Sequence, residues 1–167
     1  MVPAASSFVL TSPDIAQGQT IKTAQVFNEF GCTGQNISPA LAWRAAPQGT
    51  QSFALMVHDP DAPTGSGWWH WIVYDIPADV ASLPADAGNP MKALLPKGAV
   101  FGRNDYGVRA YGGPCPPPGP AHRYFFRLHA LRVQGLELPA DASAALIGFN
   151  VNANTISVAE IMATYAR

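Results

Sequence analysis

Charge is scarce in this chain. Only 13% of its 167 residues are Asp, Glu, Lys or Arg; 10 are basic and 11 acidic, giving a formal net charge of −1. Like charges cluster nowhere along it. That excludes a broad nucleic-acid or anionic-membrane surface, since both are built on grouped Lys and Arg. Any bound anion must sit in a small local site. Long apolar runs are missing too. None approaches the roughly 20 residues needed to cross a bilayer, so no integral membrane association is expected. The opening MVPAASSFVLTS lacks the basic and apolar regions of a secretory signal, and the expectation is a cytoplasmic protein. There are only two cysteines, Cys32 and Cys115, too far apart for a CxxC metal knuckle. A disulfide between them is geometrically open, but they read as small buried residues or spectator thiols. Internal repeats, low-complexity tails and composition breaks are also absent. One domain over residues 1–167 is the economical reading.

What is abundant is punctuation. With 15 Gly and 16 Pro among 48% hydrophobic residues, the chain can form a core, but only from short apolar runs, which favours strands. Phe8–Thr11 is a weak strand and SFALMVHD, Ser52–Asp59, a good one, with Phe53, Leu55 and Val57 on one face. In Trp69–Ile76 the alternation puts Trp69, Trp71 and Val73 on one side and His70, Ile72 and Tyr74 on the other. In Arg123–Arg132 the parity of His122, Tyr124, Phe126 and Leu128 runs from polar rim to apolar depth. Pro77–Gly102 reads as loop with at most one helical turn. Helix signals come late. Ala140–Ile147 is alanine-rich and follows a proline. Val158, Ile161, Met162 and Tyr165 fall at i, i+3, i+4 and i+7, with Ser157 and Glu160 at capping-box spacing, which predicts a closing helix.

Three polar constellations interrupt this pattern. HDPDAP, His58–Pro63, closes a strand with two carboxylates in a proline-stiffened turn; its plain reading is an Asx turn. GSGWWHWIVYDIP, Gly65–Pro77, sets His70 near a sheet end, where ligand groups gather. GGPCPPPGPAHRYFF, Gly112–Phe126, has five prolines in seven positions and then opens a strand on His122 and Tyr124. Its glycines offer N–H groups to an anion and its prolines make a stiff wall. A nucleophilic hydrolase lacks a G-x-S-x-G elbow, and Cys115 is held between prolines. Zinc on His58, Asp59, Asp61 and His70 is the other sharp alternative, weakened because His58 and Asp59 point to opposite faces. A small-anion pocket fits these residues best.

DPDAP, GSGWWHWIVYDIP and YGGPCPPPGPAHRYFF together resemble the phosphatidylethanolamine-binding protein family. The likeness is to its bacterial and archaeal Raf kinase inhibitor-like branch in particular. FGCTGQNISPALAW, Phe30–Trp43, agrees, and the resemblance runs from about Ser7 onward. It implies a mainly β fold with peripheral helices, two antiparallel sheets forming a sandwich-like core. It implies a pocket for phosphate-type anions at strand ends. Asp59, His70, His122 and Tyr124 would contact or support the ligand. Gly113, Pro114 and Pro116 would form the wall, with Tyr111 alongside and Asp61 structural. A cis peptide is implied near the pocket, with Ala62–Pro63 the candidate. One departure is visible: Ala153 and Asn154 stand where relatives open the last helix with Gly-His. The implied function is non-enzymatic binding of a phosphate-bearing small molecule or phospholipid headgroup, without cofactor or metal. Inhibition of a protein kinase or peptidase and an unrecognised hydrolase are the alternatives, and aromatic strand edges leave a homodimer open.

Overall fold

The structure is a computed structural model and describes residues 7–167; the first six, on which part of the signal-peptide reading rests, lie outside it. In chain order the strands are β1 (Val9–Thr11), β2 (Leu41–Arg44), β3 (Ser52–Asp59), β4 (Trp68–Pro77), β5 (Ser82–Leu83), β6 (Val100–Phe101), β7 (His122–Leu131) and β8 (Thr155–Tyr165). One α-helix, α1 (Ala144–Asn154), lies between β7 and β8, and short 3₁₀ turns occupy Thr23–Gln25 and Pro90–Lys92. Two antiparallel sheets result, as expected: β1-β2-β5, and a larger β6-β4-β3-β7-β8.

The larger sheet is apolar on both faces. One face presents Phe53, Leu55, Val57, Trp71, Val73, Phe126 and Leu128 to Leu10, Leu41, Trp43 and Leu83 of the smaller sheet. Trp43 packs on Phe53 with ring centroids 5.5 Å apart. The other face presents Ala54, Met56, Ile72, Tyr74 and Leu131 to Ile147 and Val151 of α1. Each such fully buried side chain contributes about 1.5–3 kcal/mol, which is why the central strands read as nearly unbroken apolar runs.

The expected alternation in β4 fails at two points, once near Asp75, so that Val73 and Ile76 share a face, and once at His70, where the failure is instructive. Val57 pairs with Trp71 but His58 pairs with Trp69, so His70 is the extra residue of a β-bulge. The bulge turns two consecutive side chains to the same face. His70 joins Trp71 and Val73 on the inter-sheet side, and Trp69 moves to the side of Ile72 and Tyr74.

The largest correction is at the end of the chain. Residues 155–165 are not a helix but β8, paired with β7 from His122↔Tyr165 to Leu131↔Thr155. The helical stripe is split by the pleat. Ile161 goes inward with Ala159 and Ala163, while Val158 is 42% exposed on the opposite face. Thr155, Ile156, Val158, Ile161 and Thr164 are β-branched, and β8 satisfies the backbone groups that β7 would otherwise leave at an open edge. Ser157 and Glu160, instead of capping, pair across the ladder with Ala130 and Arg127.

The earlier helix also begins later than expected, because Ser143 caps it by accepting from Leu146 N–H at 3.0 Å. Asn154 closes α1 rather than opening a last helix. Pro77–Gly102 contains β5, a 3₁₀ turn and β6, more structure than its composition predicts. Among the described residues every peptide bond is trans, Ala62–Pro63 included.

The cysteines are not spectators. Cys32 and Cys115 form a disulfide across 83 residues of sequence, with Cα atoms 5.9 Å apart. Spacing alone cannot show that two loops meet. Closing so long a loop constrains the unfolded chain, so Cys32→Ser with Cys115→Ser is expected to lower unfolding free energy by about 2–5 kcal/mol. Urea melts of the double variant and of reduced wild type should agree; an unchanged midpoint in both would contradict the bond.

Two histidines are buried neutral. Burial pulls His70 and His129 down to about 4, from 6.5. Only the unfolded chain takes up these protons between those values. Their contribution to stability is therefore full above pH 6.5 and is lost as pH falls toward 4. Melting temperature is expected to drop over that window, and to drop less in His129→Gln.

Candidate functional site

The β3–β4 hairpin builds the first side of the site. Asp59, the last residue of β3, is 3% exposed. Its Oδ1 accepts from the backbone N–H groups of Asp61 (2.8 Å) and Ala62 (3.1 Å), the Asx turn expected from the sequence. Gly67 closes the hairpin at φ +70°, and a Cβ there would stand 2.4 Å from the Asp59 carbonyl oxygen, so only glycine fits. Asp61 does not face the pocket chemistry. Its carboxylate accepts from Arg123 Nε and Nη2, both at 2.9 Å, and from the Arg123 backbone N–H. That pairing holds its carboxyl down at about 2 and fastens the turn to β7.

His122 opens β7, and its Nδ1 lies 2.7 Å from Asp59 Oδ2. The carboxylate accepts, so Nδ1 carries the proton and Nε2 is the nitrogen left for a ligand. Both Asp59 oxygens are thus occupied within the protein. Asp59 orients His122 and the turn.

His70 reaches the site through its bulge. It is 3% exposed. Its Nδ1–H donates to Gly112 O at 2.7 Å, and Gly112 N–H donates back to His70 O at 2.9 Å. Held neutral by burial, His70 presents Nε2 as a lone-pair acceptor, buried and without a protein partner. The Tyr124 hydroxyl and the Trp68 indole N–H are likewise buried and unpartnered. Burial, reinforced by the nearby Asp59 charge, raises the Tyr124 pKa, so its phenol remains a donor.

These groups surround one cavity of about 220 Å³. Asp59, His70, Pro116, His122 and Tyr124, five of the residues expected from the sequence, line it together. Gly113, Pro114 and Tyr111 do not. Gly113 packs against the backbone of residues 25–27, where a Cβ would lie 2.1 Å from Gln25 O. Pro114 O accepts from Phe27 N–H at 3.0 Å. Tyr111 is buried behind the site, donating its hydroxyl to Gln25 O at 2.7 Å and meeting Trp71 edge-on. The wall is set further along, at Cys115, Pro116 and Pro117. The disulfide pins that wall to the loop carrying Phe30, which also lines the cavity and is 66% exposed at its rim.

Sequence reasoning missed Trp68 and Tyr106. Trp68 adjoins the motif but read only as strand. Tyr106 belongs to no motif; it arrives by stacking on Phe27 at 4.0 Å and donating to Gly113 O at 2.8 Å. His58, once weighed with Asp59 for zinc, stacks on Trp69 on the opposite face of the sheet.

A family model described as phosphatidylethanolamine-binding protein matches residues 11–166. The UPF0098 protein YbcL of Escherichia coli (strain K12) is 50% identical over 162 residues, spanning 96% of this chain and 88% of YbcL. YbhB of the same organism, also a UPF0098 protein, is 44% identical over 94% of this chain and 99% of its own. The crystal structure of E. coli YbcL, described as a new member of the mammalian PEBP family, matches with a TM-score of 0.94 at 49% identity, covering 97% of this chain and 99% of that one. The motifs, the two-sheet fold and the matched length converge: this chain belongs to the phosphatidylethanolamine-binding protein family.

Proposed function

We propose that the protein is a non-enzymatic, single-domain binding protein whose pocket holds a phosphate monoester, carried by a small molecule or a phosphorylated headgroup. One observation carries this reading: His70 Nε2, the Tyr124 hydroxyl and Trp68 Nε1 are all buried and unpartnered around one cavity. Each such atom costs about 1–3 kcal/mol unless something pairs with it. The set asks for a ligand with several acceptor oxygens and one donor. A singly protonated phosphate monoester supplies both, its P–OH donating to His70 Nε2 and its other oxygens accepting from Tyr124 and Trp68. A phosphodiester has no such proton. Binding without turnover is supported by the commitment of the pocket's one aliphatic hydroxyl and its one cysteine. The Thr64 hydroxyl donates to Gly67 O, and Cys115 is in the disulfide. The Asp59–His122 pair is the one feature that favours a second reading, hydrolysis by an activated water. We take the disulfide as support for an oxidising compartment in place of the expected cytoplasm.

Calorimetric titration tests the assignment. Phosphoethanolamine is expected to bind, and its diester glycerophosphoethanolamine to bind at least tenfold more weakly; equal affinities would remove the His70 argument. A phosphoserine peptide in the same titration distinguishes a protein partner from a small molecule. His122→Ala is expected to weaken the monoester about tenfold, as for one lost hydrogen bond. Turnover of p-nitrophenyl phosphate that disappears in Asp59→Asn would establish the hydrolase instead.

The pH dependence has a definite sign. His70 stays neutral above about 4, so near pH 7 the shared proton must come with the ligand or be taken up on binding. Monoester affinity is expected to fall about tenfold per pH unit above the ligand's second pKa, near 6. That slope should flatten in His70→Ala.

A further inference from the structure

A second cavity, of about 370 Å³, lies on the other face of the larger sheet, between α1 and the strands. Nothing in the anion-pocket reading uses it. Met56, Trp69 and Phe149 give it apolar walls, and Arg127 and His129 give it polar ones. Trp69 is there because the His70 bulge turned it to this side, and it stacks on His58 at 4.1 Å.

Its polar groups have defined roles. The Thr155 hydroxyl donates its proton to Val151 O at 2.7 Å. The 3.0 Å contact between that hydroxyl and His129 Nδ1 must therefore be donated by the histidine. His129 is 7% exposed and neutral near pH 7, so its Nε2 is left as an acceptor. Among the described residues Nε2 has no hydrogen-bond partner. Arg127 gives Nε–H to Glu160 Oε1 at 2.7 Å and lies 4.4 Å over the Phe125 ring. Its two Nη groups have no acceptor among the described residues. They form a fork suited to a carboxylate.

The helix leaves room. Gly148 sits inside α1, where glycine costs about 1 kcal/mol relative to alanine. No steric demand explains it, since a Cβ would meet only Met56 Cε, at 3.7 Å. Phe149 beside it is 74% exposed at the rim. An aromatic wall, an unpartnered acceptor and a free guanidinium fork within one cavity are complementary to one chemical class.

We propose that this cavity is a second ligand site, for a small aromatic carboxylate that also carries a hydroxyl or N–H donor. The ring lies against Trp69 and Phe149, the donor meets His129 Nε2, and the carboxylate meets Arg127.

The probe is 4-hydroxybenzoate, titrated into ¹⁵N-labelled full-length protein, with benzoate and phenol as partial probes. Saturable shifts are expected at residues 127–129 and along α1, with benzoate at least tenfold weaker because His129 Nε2 is then left without a donor under the bound ring. Gly148→Leu fills the cavity with a good helix former. It is expected to weaken 4-hydroxybenzoate at least tenfold and to leave phosphoethanolamine binding unchanged. Should that variant fail to fold, Arg127→Gln serves: it is expected to weaken 4-hydroxybenzoate and not phenol. No saturable shift, shifts confined to the Asp59–His122 pocket, or an equal loss for phenol in Arg127→Gln would overturn the proposal.

Discussion

His70 and Gly112 exchange two hydrogen bonds, backbone to backbone and ring to carbonyl. Much of the site depends on that exchange. It fixes the His70 tautomer, and so makes its buried Nε2 an acceptor rather than a donor. It also anchors the start of the proline-rich segment against β4. From there Gly113 N–H donates to Asn36 Oδ1, Pro114 O accepts from Phe27, and Cys115 bonds to Cys32. Each fastening consumes a polar group that the sequence alone would have offered to a ligand. The stiff wall is left to the residues that follow.

The β4 bulge has a similarly wide effect. A regular strand would have put His70 on the α1 face, away from Asp59 and His122. One inserted residue instead places His70 beside Tyr124, with ring centroids 5.2 Å apart, and sends Trp69 to the second cavity. The same irregularity thus equips both faces. Such a bulge is invisible to an alternation argument, because it is defined by pairing with β3 and not by any residue type within β4.

That distinction separates what was legible in the sequence from what was not. β3 and β7 could be read because their parity agrees with the faces on which their side chains lie. Asp59, His122 and Tyr124 could be read because turn chemistry and strand parity are local. His70 was found through its motif, with its facing assigned to the wrong side. The last strand was misread because residues 155–165 satisfy both a 3.6 and a 2.0 period; the unpaired edge of β7, a tertiary fact, decides between them. Of the wall residues, Pro116 was placed correctly and Gly113 and Pro114 were not, because prolines mark a stiff loop without saying which of its members face the cavity. The disulfide and Tyr106 depend on contacts between distant loops, for which nothing in the local pattern stands in.

β7 shows how one strand can serve two chemistries without mixing them. His122 and Tyr124 share a parity and open on the anion pocket, while Arg127 and His129 take the other parity and open toward α1. Phe126 and Leu128, 1% and 0% exposed, close the inter-sheet face beneath the first site. A ligand on either face therefore meets packed side chains, not a channel to the other. Close packing allows little give in those residues. The sites come nearest in the chain at the β4 bulge, where His70 and Trp69 are consecutive residues facing opposite ways. The two sites are separate in chemistry because of the pleat, and adjacent in the chain because the pleat is broken at His70.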